Sequence, residues 1–215
     1  GKKPFVYNGK TIVGFASNSF RNFRGEGEKQ FLVDVMSASL GPSWDDFIEC
    51  VNGGSIFAII TARGHNPMIL KQAVYKLIKN NVSGLDQEKL VESLKKYRDF
   101  TGEDIKDDNT MIKEYLDMCR FHPVSFGTGS EANPEEGKIN ALREFITYCK
   151  ELANIVGGKV LFKNDVSNNF VVPSIGFSDD DERNVEKVKE FLNKEFGLEH
   201  PVTTYLTKSQ TKTKY

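Results

Sequence analysis

The spacing of apolar positions changes repeatedly along the chain, and each change marks an element. Residues 4–16 hold two short apolar runs on either side of Asn8-Gly9, a pair that favours the positive φ angles of a tight turn, so a hairpin is predicted there. Residues 17–30 (SNSFRNFRGEGEKQ) are polar and read as a loop or short helix. FLVDVM (31–36) is β-prone and runs out into small residues and Gly41-Pro42, which predicts a strand. WDDFIECVN (44–52) reads as a helix, with Ser43 placed to cap it and Asp45 and Asp46 in its first turn. SIFAIIT (55–61) is almost continuously apolar, the pattern of a strand buried on both faces of a parallel sheet.

Beyond Pro67 the residues Ile69, Leu70, Ala73, Val74, Leu77 and Ile78 recur at helical spacing. Further helices are predicted over 85–98 and 107–120, and FHPVSFG (121–127) supplies a short strand. Residues 138–156 carry one helical face of Ile139, Leu142, Ile146, Cys149 and Leu152, with Gly157-Gly158 closing that helix. KVLFKNDVSNNFVV (159–172) reads as a hairpin or loop insertion, PSIGFS (173–178) as a strand, 182–197 as a helix and VTTYLTK (202–208) as a last strand before a polar basic tail. Such alternation predicts an α/β fold, a doubly wound and mainly parallel sheet with small helical and loop insertions near 85–120 and 157–172. Residues 1–30 form an N-terminal hairpin and loop extension or part of a cap, and 31–215 form the core.

Composition narrows the function. Lysine and arginine number 29 against 30 acidic residues, so there is no global field to attract nucleic acid or an anionic membrane. Three scattered cysteines make neither a disulfide framework nor a metal knuckle and suggest a reducing, cytoplasmic setting. No apolar run approaches the roughly 20 residues that span a bilayer, so no membrane partner is expected.

In a doubly wound sheet, ligands bind beyond the carboxyl ends of the strands. Thr61 and Arg63 follow SIFAII and offer a hydroxyl and a guanidinium to phosphate oxygens. Asp179, Asp180 and Asp181 follow PSIGFS; three adjacent carboxylates repel one another unless a cation or basic group offsets them, and hard oxygens suit Mg²⁺. Lys138 begins a helix, where its ammonium and the helix dipole both favour an anion.

IITARG (59–64), Lys138 within NPEEGKINAL and IGFSDDDERN (175–184) resemble, in order and placement, the second, third and fourth motifs of the haloacid-dehalogenase-like (HAD) hydrolases. The resemblance implies a HAD-like Rossmannoid fold and Mg²⁺-dependent hydrolysis of phosphate esters through an aspartyl-phosphate. It assigns phosphoryl binding to Thr61 and Lys138, with Arg63 beside them, and the metal to Asp179 and Asp180. Lys163 competes with Lys138 for the lysine role, and Lys138 is preferred because it starts a helix. The implied substrate is a phosphorylated small molecule or a nucleotide.

The first motif departs from the pattern. The family nucleophile lies in D-x-D-x-[T/V], and FLVDVMSAS offers Asp34 with Met36 in place of the second carboxylate and Ala38 in place of the Thr or Val. Asp34 is then either a degenerate nucleophile position, or the motif precedes Gly1 and residues 1–45 belong to a cap-like insertion. The alternative function is a binding or scaffold domain without the nucleophile. A nucleic-acid end as substrate is suggested only by Phe20, Arg21, Phe23 and Arg24, aromatic and basic side chains in one loop.

Overall fold

The computed structural model describes residues 3–7, 10–14, 26–126, 133–164, 175–197, 202–208 and 211–215. The predicted hairpin is present: β1 (Lys3–Tyr7) pairs antiparallel with β2 (Lys10–Gly14). The basic-aromatic loop with Phe20 to Arg24 lies outside the described residues, as does 165–174.

The strand expected at 31–36 is a helix. α1 spans Glu26–Asp34 and a short 3₁₀ turn, Val35–Ser37, continues it. Phe31 and Val35, like Leu32 and Met36, are four residues apart, so the same apolar set makes a helical stripe. Val35 and Met36 pack on the core, while Val33 is 63% exposed. A strand there would have needed a pairing partner, and the α1 stripe instead lies on the helix that follows β3.

α2 (Trp44–Asn52), β3 (Ala58–Thr61), α3 (Pro67–Lys79), α4 (Gln87–Thr101) and α5 (Asp108–Met118) follow in the predicted order, and β4 (Arg120–Pro123) runs parallel to β3 with Ile60 opposite His122. The side chains of Asn66, Asp86 and Asp107 accept backbone N–H bonds at the starts of α3, α4 and α5. Ser43 makes no such side-chain bond to α2.

α6 spans Pro134–Asn164, passing through Gly157-Gly158 rather than ending there. Each interior glycine weakens a helix by about 1 kcal/mol without breaking it. KVLFKN therefore belongs to the helix, and the rest of the expected insertion, 165–172, lies outside the described residues. β5 (Ile175–Asp179) is parallel to β6 (Val202–Lys208), and α7 (Glu182–Phe196) connects that pair. The polar tail contributes β7 (Thr211–Lys214), antiparallel to β6, a short lysine- and threonine-bearing strand of the kind that closes a sheet edge.

The fold is thus mixed helix and strand with small sheets. Two apolar clusters form the core. One gathers α2, α3, α4 and α5 around Val51, Ile78, Leu90, Ile112 and Tyr115; the other gathers α6, α7, β5 and β6 around Leu142, Ile146, Phe177, Val188 and Leu192. β3 and the residues leading into it join the two clusters: Phe57 and Ile59 belong with the first, Ala58 and Ile60 pack against the second, and Ile56 touches both. Among the described residues, β3–β4 and β5–β6–β7 are not hydrogen-bonded to each other, so the expected single sheet is present as two parallel-paired pieces. No helix of the described residues is long and apolar enough to cross a membrane.

The start of α6 is held against the end of β4 by a close approach at Gly137, where an added Cβ would lie 2.8 Å from Val124 Cβ. Gly137→Ala is expected to lower stability by about 1–3 kcal/mol through overpacking, despite alanine's better helix propensity. Thermal denaturation of the two proteins checks this sign.

Candidate functional site

β3 and β5 end on the same side of the molecule. A pocket of about 640 Å³ opens there, lined by Ala62 just beyond β3, Lys138 in α6, Asp180 through Asn184 at the turn from β5 into α7, and Lys208 at the end of β6. Asn133 Oδ1 accepts the backbone N–H of Glu135 at 3.1 Å, which orders the start of α6. Asp181 Oδ1 accepts the N–H of Arg183 at 3.0 Å and caps α7. Two helix N-termini therefore meet at the ends of two strands, an arrangement whose partial positive charge favours an anion.

The site is organised by one ion pair. Lys138 Nζ donates to Asp179 Oδ2 at 2.6 Å, with the lysine side chain 12% and the aspartate side chain 7% exposed. Asp179 Oδ1 accepts two further bonds, from Asp181 N–H at 2.9 Å and from the Asn184 side-chain amide at 3.0 Å. Its carboxylate is thus enclosed by three donors, and 41 residues of sequence separation are closed by a single contact.

The acidic run is offset by the protein's own cations. Lys138 holds Asp179, and Arg183 reaches Asp181 at 2.9 Å, its hydrogen bonds holding the Asp181 carboxyl below the usual carboxylate range. Lys208 donates to Glu182 at 2.6 Å and holds that carboxyl low in the same way. Asp180 is exposed and faces the pocket. Among the described residues no three His, Cys, Asp or Glu side chains gather as a metal cluster. Mg²⁺, however, keeps several waters and is commonly held by one or two carboxylates together with substrate phosphate. Of the two carboxylates predicted to hold a metal, Asp180 faces the pocket, while Asp179 is already committed to Lys138, Asp181 and Asn184.

The sequence candidates are placed as follows. Thr61 ends β3, half-buried, its Oγ1 accepting the N–H of Arg63 at 3.3 Å, one residue before the pocket wall at Ala62. Arg63 is exposed and does not line the pocket. Asp34 ends α1 rather than a strand; it is exposed, accepts the Gln30 amide at 2.6 Å and does not line the pocket. Lys163 lies 25 residues beyond Lys138 on the same helix, roughly 37 Å away at 1.5 Å per residue, so of the two candidates Lys138 is the one at this pocket, beside Lys208. Asn184, Arg183 and Lys208 were not anticipated. Asn184 had a signal: it lies five residues after Asp179, on the first turn of the helix that a capping aspartate begins.

No protein-family model, curated protein or solved structure matches this chain.

Removing Lys138 alone leaves a buried carboxylate with its two neutral donors. Lys138→Met is expected to cost about 3 kcal/mol, and the double change Lys138→Met with Asp179→Asn to recover most of that loss. Chemical denaturation of the two single variants and the double variant measures the coupling; additive losses would mean that the pair is not energetically linked.

Proposed function

We propose that this pocket binds phosphate and that the chain is a Mg²⁺-dependent phosphohydrolase of the HAD-like kind. The observation that carries the reading is the meeting of Ala62 next to Thr61, Lys138 and Asp180 at one pocket, from segments 76 and 42 residues apart in sequence. In this reading the phosphoryl group lies between the Thr61 hydroxyl and the Lys138 ammonium, where the N-termini of α6 and α7 add positive potential. Lys138 would exchange part of its bond to Asp179 for a phosphate oxygen, and Asp180 is the carboxylate that would hold a hydrated Mg²⁺. The metal's contribution is charge neutralisation of phosphate oxygens. The same reading takes β3–β4 and β5–β6–β7 as parts of one doubly wound sheet, takes a phosphorylated small molecule or nucleotide as substrate, and sets the protein in the cytoplasm, where its cysteines stay reduced.

A second reading is a phosphate-binding domain without turnover. It draws on Asp34, whose exposed place at the end of α1 keeps it out of the pocket lining and leaves the attacking carboxylate unassigned among the described residues.

With Mg²⁺ and an aryl phosphate, the first reading predicts turnover that falls at least about 100-fold in Lys138→Ala and in Asp180→Ala, the scale of losing one charge-stabilising group. Asp34→Asn should leave turnover unchanged. Saturable binding of inorganic phosphate without turnover supports the second reading. Neither binding nor turnover, or full activity in Lys138→Ala, overturns both.

A further inference from the structure

Side chains alternate along a strand, so Arg120, His122 and Val124 share one face of β4 and of the residue whose N–H, donated to Thr61 O, continues its pairing with β3. That face meets α6 at three levels. The Arg120 guanidinium lies over the Tyr148 ring, 3.5 Å from its centroid. His122 Nδ1 lies 3.9 Å from a carboxylate oxygen of Glu144, one helical turn before Tyr148. Val124 meets Gly137 at the close approach that sets the start of α6, and Lys138 is the next residue. The lengths agree: from Tyr148 back to Gly137 the helix covers about 16 Å, and from Arg120 to Val124 the strand covers about 13 Å. His122 is thus the middle level of the contact that carries Lys138 to its pocket.

This middle level is chemically unlike its neighbours. His122 Nε2 is buried with no hydrogen-bond partner among the described residues, a rare state for a polar atom, and Nδ1 is too far from Glu144 for a hydrogen bond. A neutral imidazole suits the place with its proton on Nδ1, toward the carboxylate, because a bare nitrogen costs less to bury than an orphaned N–H. An imidazolium does not suit it: the second proton would sit on Nε2, where no acceptor waits. Burial accordingly pushes the His122 pKa below its ordinary 6.5, with the exposed Glu144 opposing the shift and Arg120 adding to it. The other groups near this face stay constant in that range, since burial pushes the Tyr148 hydroxyl and the Cys149 thiol of α6 up. β3 sets the uncharged Ile60 beside His122, and Phe121 turns the other way, into the cluster that holds α3, whose Lys71 is paired with Asp117.

We propose that His122 is a pH-responsive brace between β4 and α6: neutral, it holds the first turns of α6 in place; protonated, it leaves for solvent and Glu144, and those turns are released. The direction follows from proton linkage. A histidine whose pKa is lowered in the folded contact binds its proton more readily once the contact opens. The brace therefore contributes its full stability above pH 6.5 and loses it as pH falls from 6.5 through the lowered value. It does not depend on what the pocket binds. Joined to the phosphate-site reading, it keeps Lys138 at the pocket in neutral solution and withdraws it in acid.

Amide hydrogen exchange of the 215-residue protein, read by mass spectrometry at about pH 7.5 and about pH 5.5, tests the brace on either side of the ordinary histidine value. Each peptide's rate is taken relative to the unfolded chain at the same pH. Acidification lowers the protection of residues 134–148 by roughly tenfold, the factor that one pH unit of proton linkage supplies, and lowers that of α3 far less. In His122→Leu and in His122→Gln, neither of which titrates, the protection of 134–148 no longer depends on pH; the second variant serves if the first fails to fold. Unchanged protection in the parent protein, the same loss in the folded variants, or an equal loss in α3 each overturns the proposal. Binding of inorganic phosphate at the higher pH is measured on the same samples, so that failure of the brace and failure of the phosphate site are read separately.

Discussion

The buried bond between Lys138 and Asp179 is the constraint on which the functional end of the molecule depends. Neither charge could be held at that depth alone: an unpartnered buried ion costs several kcal/mol, and the pair is tolerated because Asp181 and Asn184 satisfy the remaining lone pairs of the carboxylate. The same contact fixes the start of α6 against the end of β5, and Gly137 makes that position reachable by allowing α6 to close on Val124. A pocket with two helix N-termini is the geometric consequence. Its charges are arranged in pairs, Lys138 with Asp179, Arg183 with Asp181 and Lys208 with Glu182, so under the proposed function an anion would have to compete with these carboxylates for the cations.

Packing explains why this end is well built while the middle of the layer is open. β3 and the residue pair before it distribute their side chains between two helical clusters. Among the described residues the two are joined by that strand, by the contact of α6 with β3 and β4, and by the ion pair of Lys212 with Asp46. A solvent-open cavity of about 900 Å³ lies along this seam, lined by apolar residues such as Phe57 and Phe145 and by polar ones such as Asp46 and Lys212.

Much of this was legible from residue order. Helical spacing identified α3, α4, α5 and α7, Pro67 marked the start of α3, and the runs ending in Thr61 and Asp179 marked the two strands that matter, whereas Ser43, expected to cap α2, makes no such bond. FLVDVM was misread because its apolar positions satisfy a four-residue period as well as a strand's, and only its neighbours decide between them. The continuation of α6 through Gly157-Gly158 went unseen because glycine lowers helix stability by an amount that its surroundings can offset. At the site, Lys138 and Asp179 were each nominated for phosphate or metal; their bond to each other depends on tertiary placement, which spacing does not report. The openness of the β3 edge was equally hidden, since AIIT reads as a strand buried on both faces whichever neighbours it has.

The central claim is that the ends of β3 and β5 and the start of α6 form one anion site. Titration of the ¹⁵N-labelled protein with inorganic phosphate, followed residue by residue in amide spectra, tests it most directly. The account predicts that the amides of Ala62, Lys138 and Asp180 through Asn184 shift together along one binding curve, and that Lys138→Met abolishes the shifts. Shifts confined to one of these segments, or spread over exposed lysines elsewhere with no common curve, would contradict it.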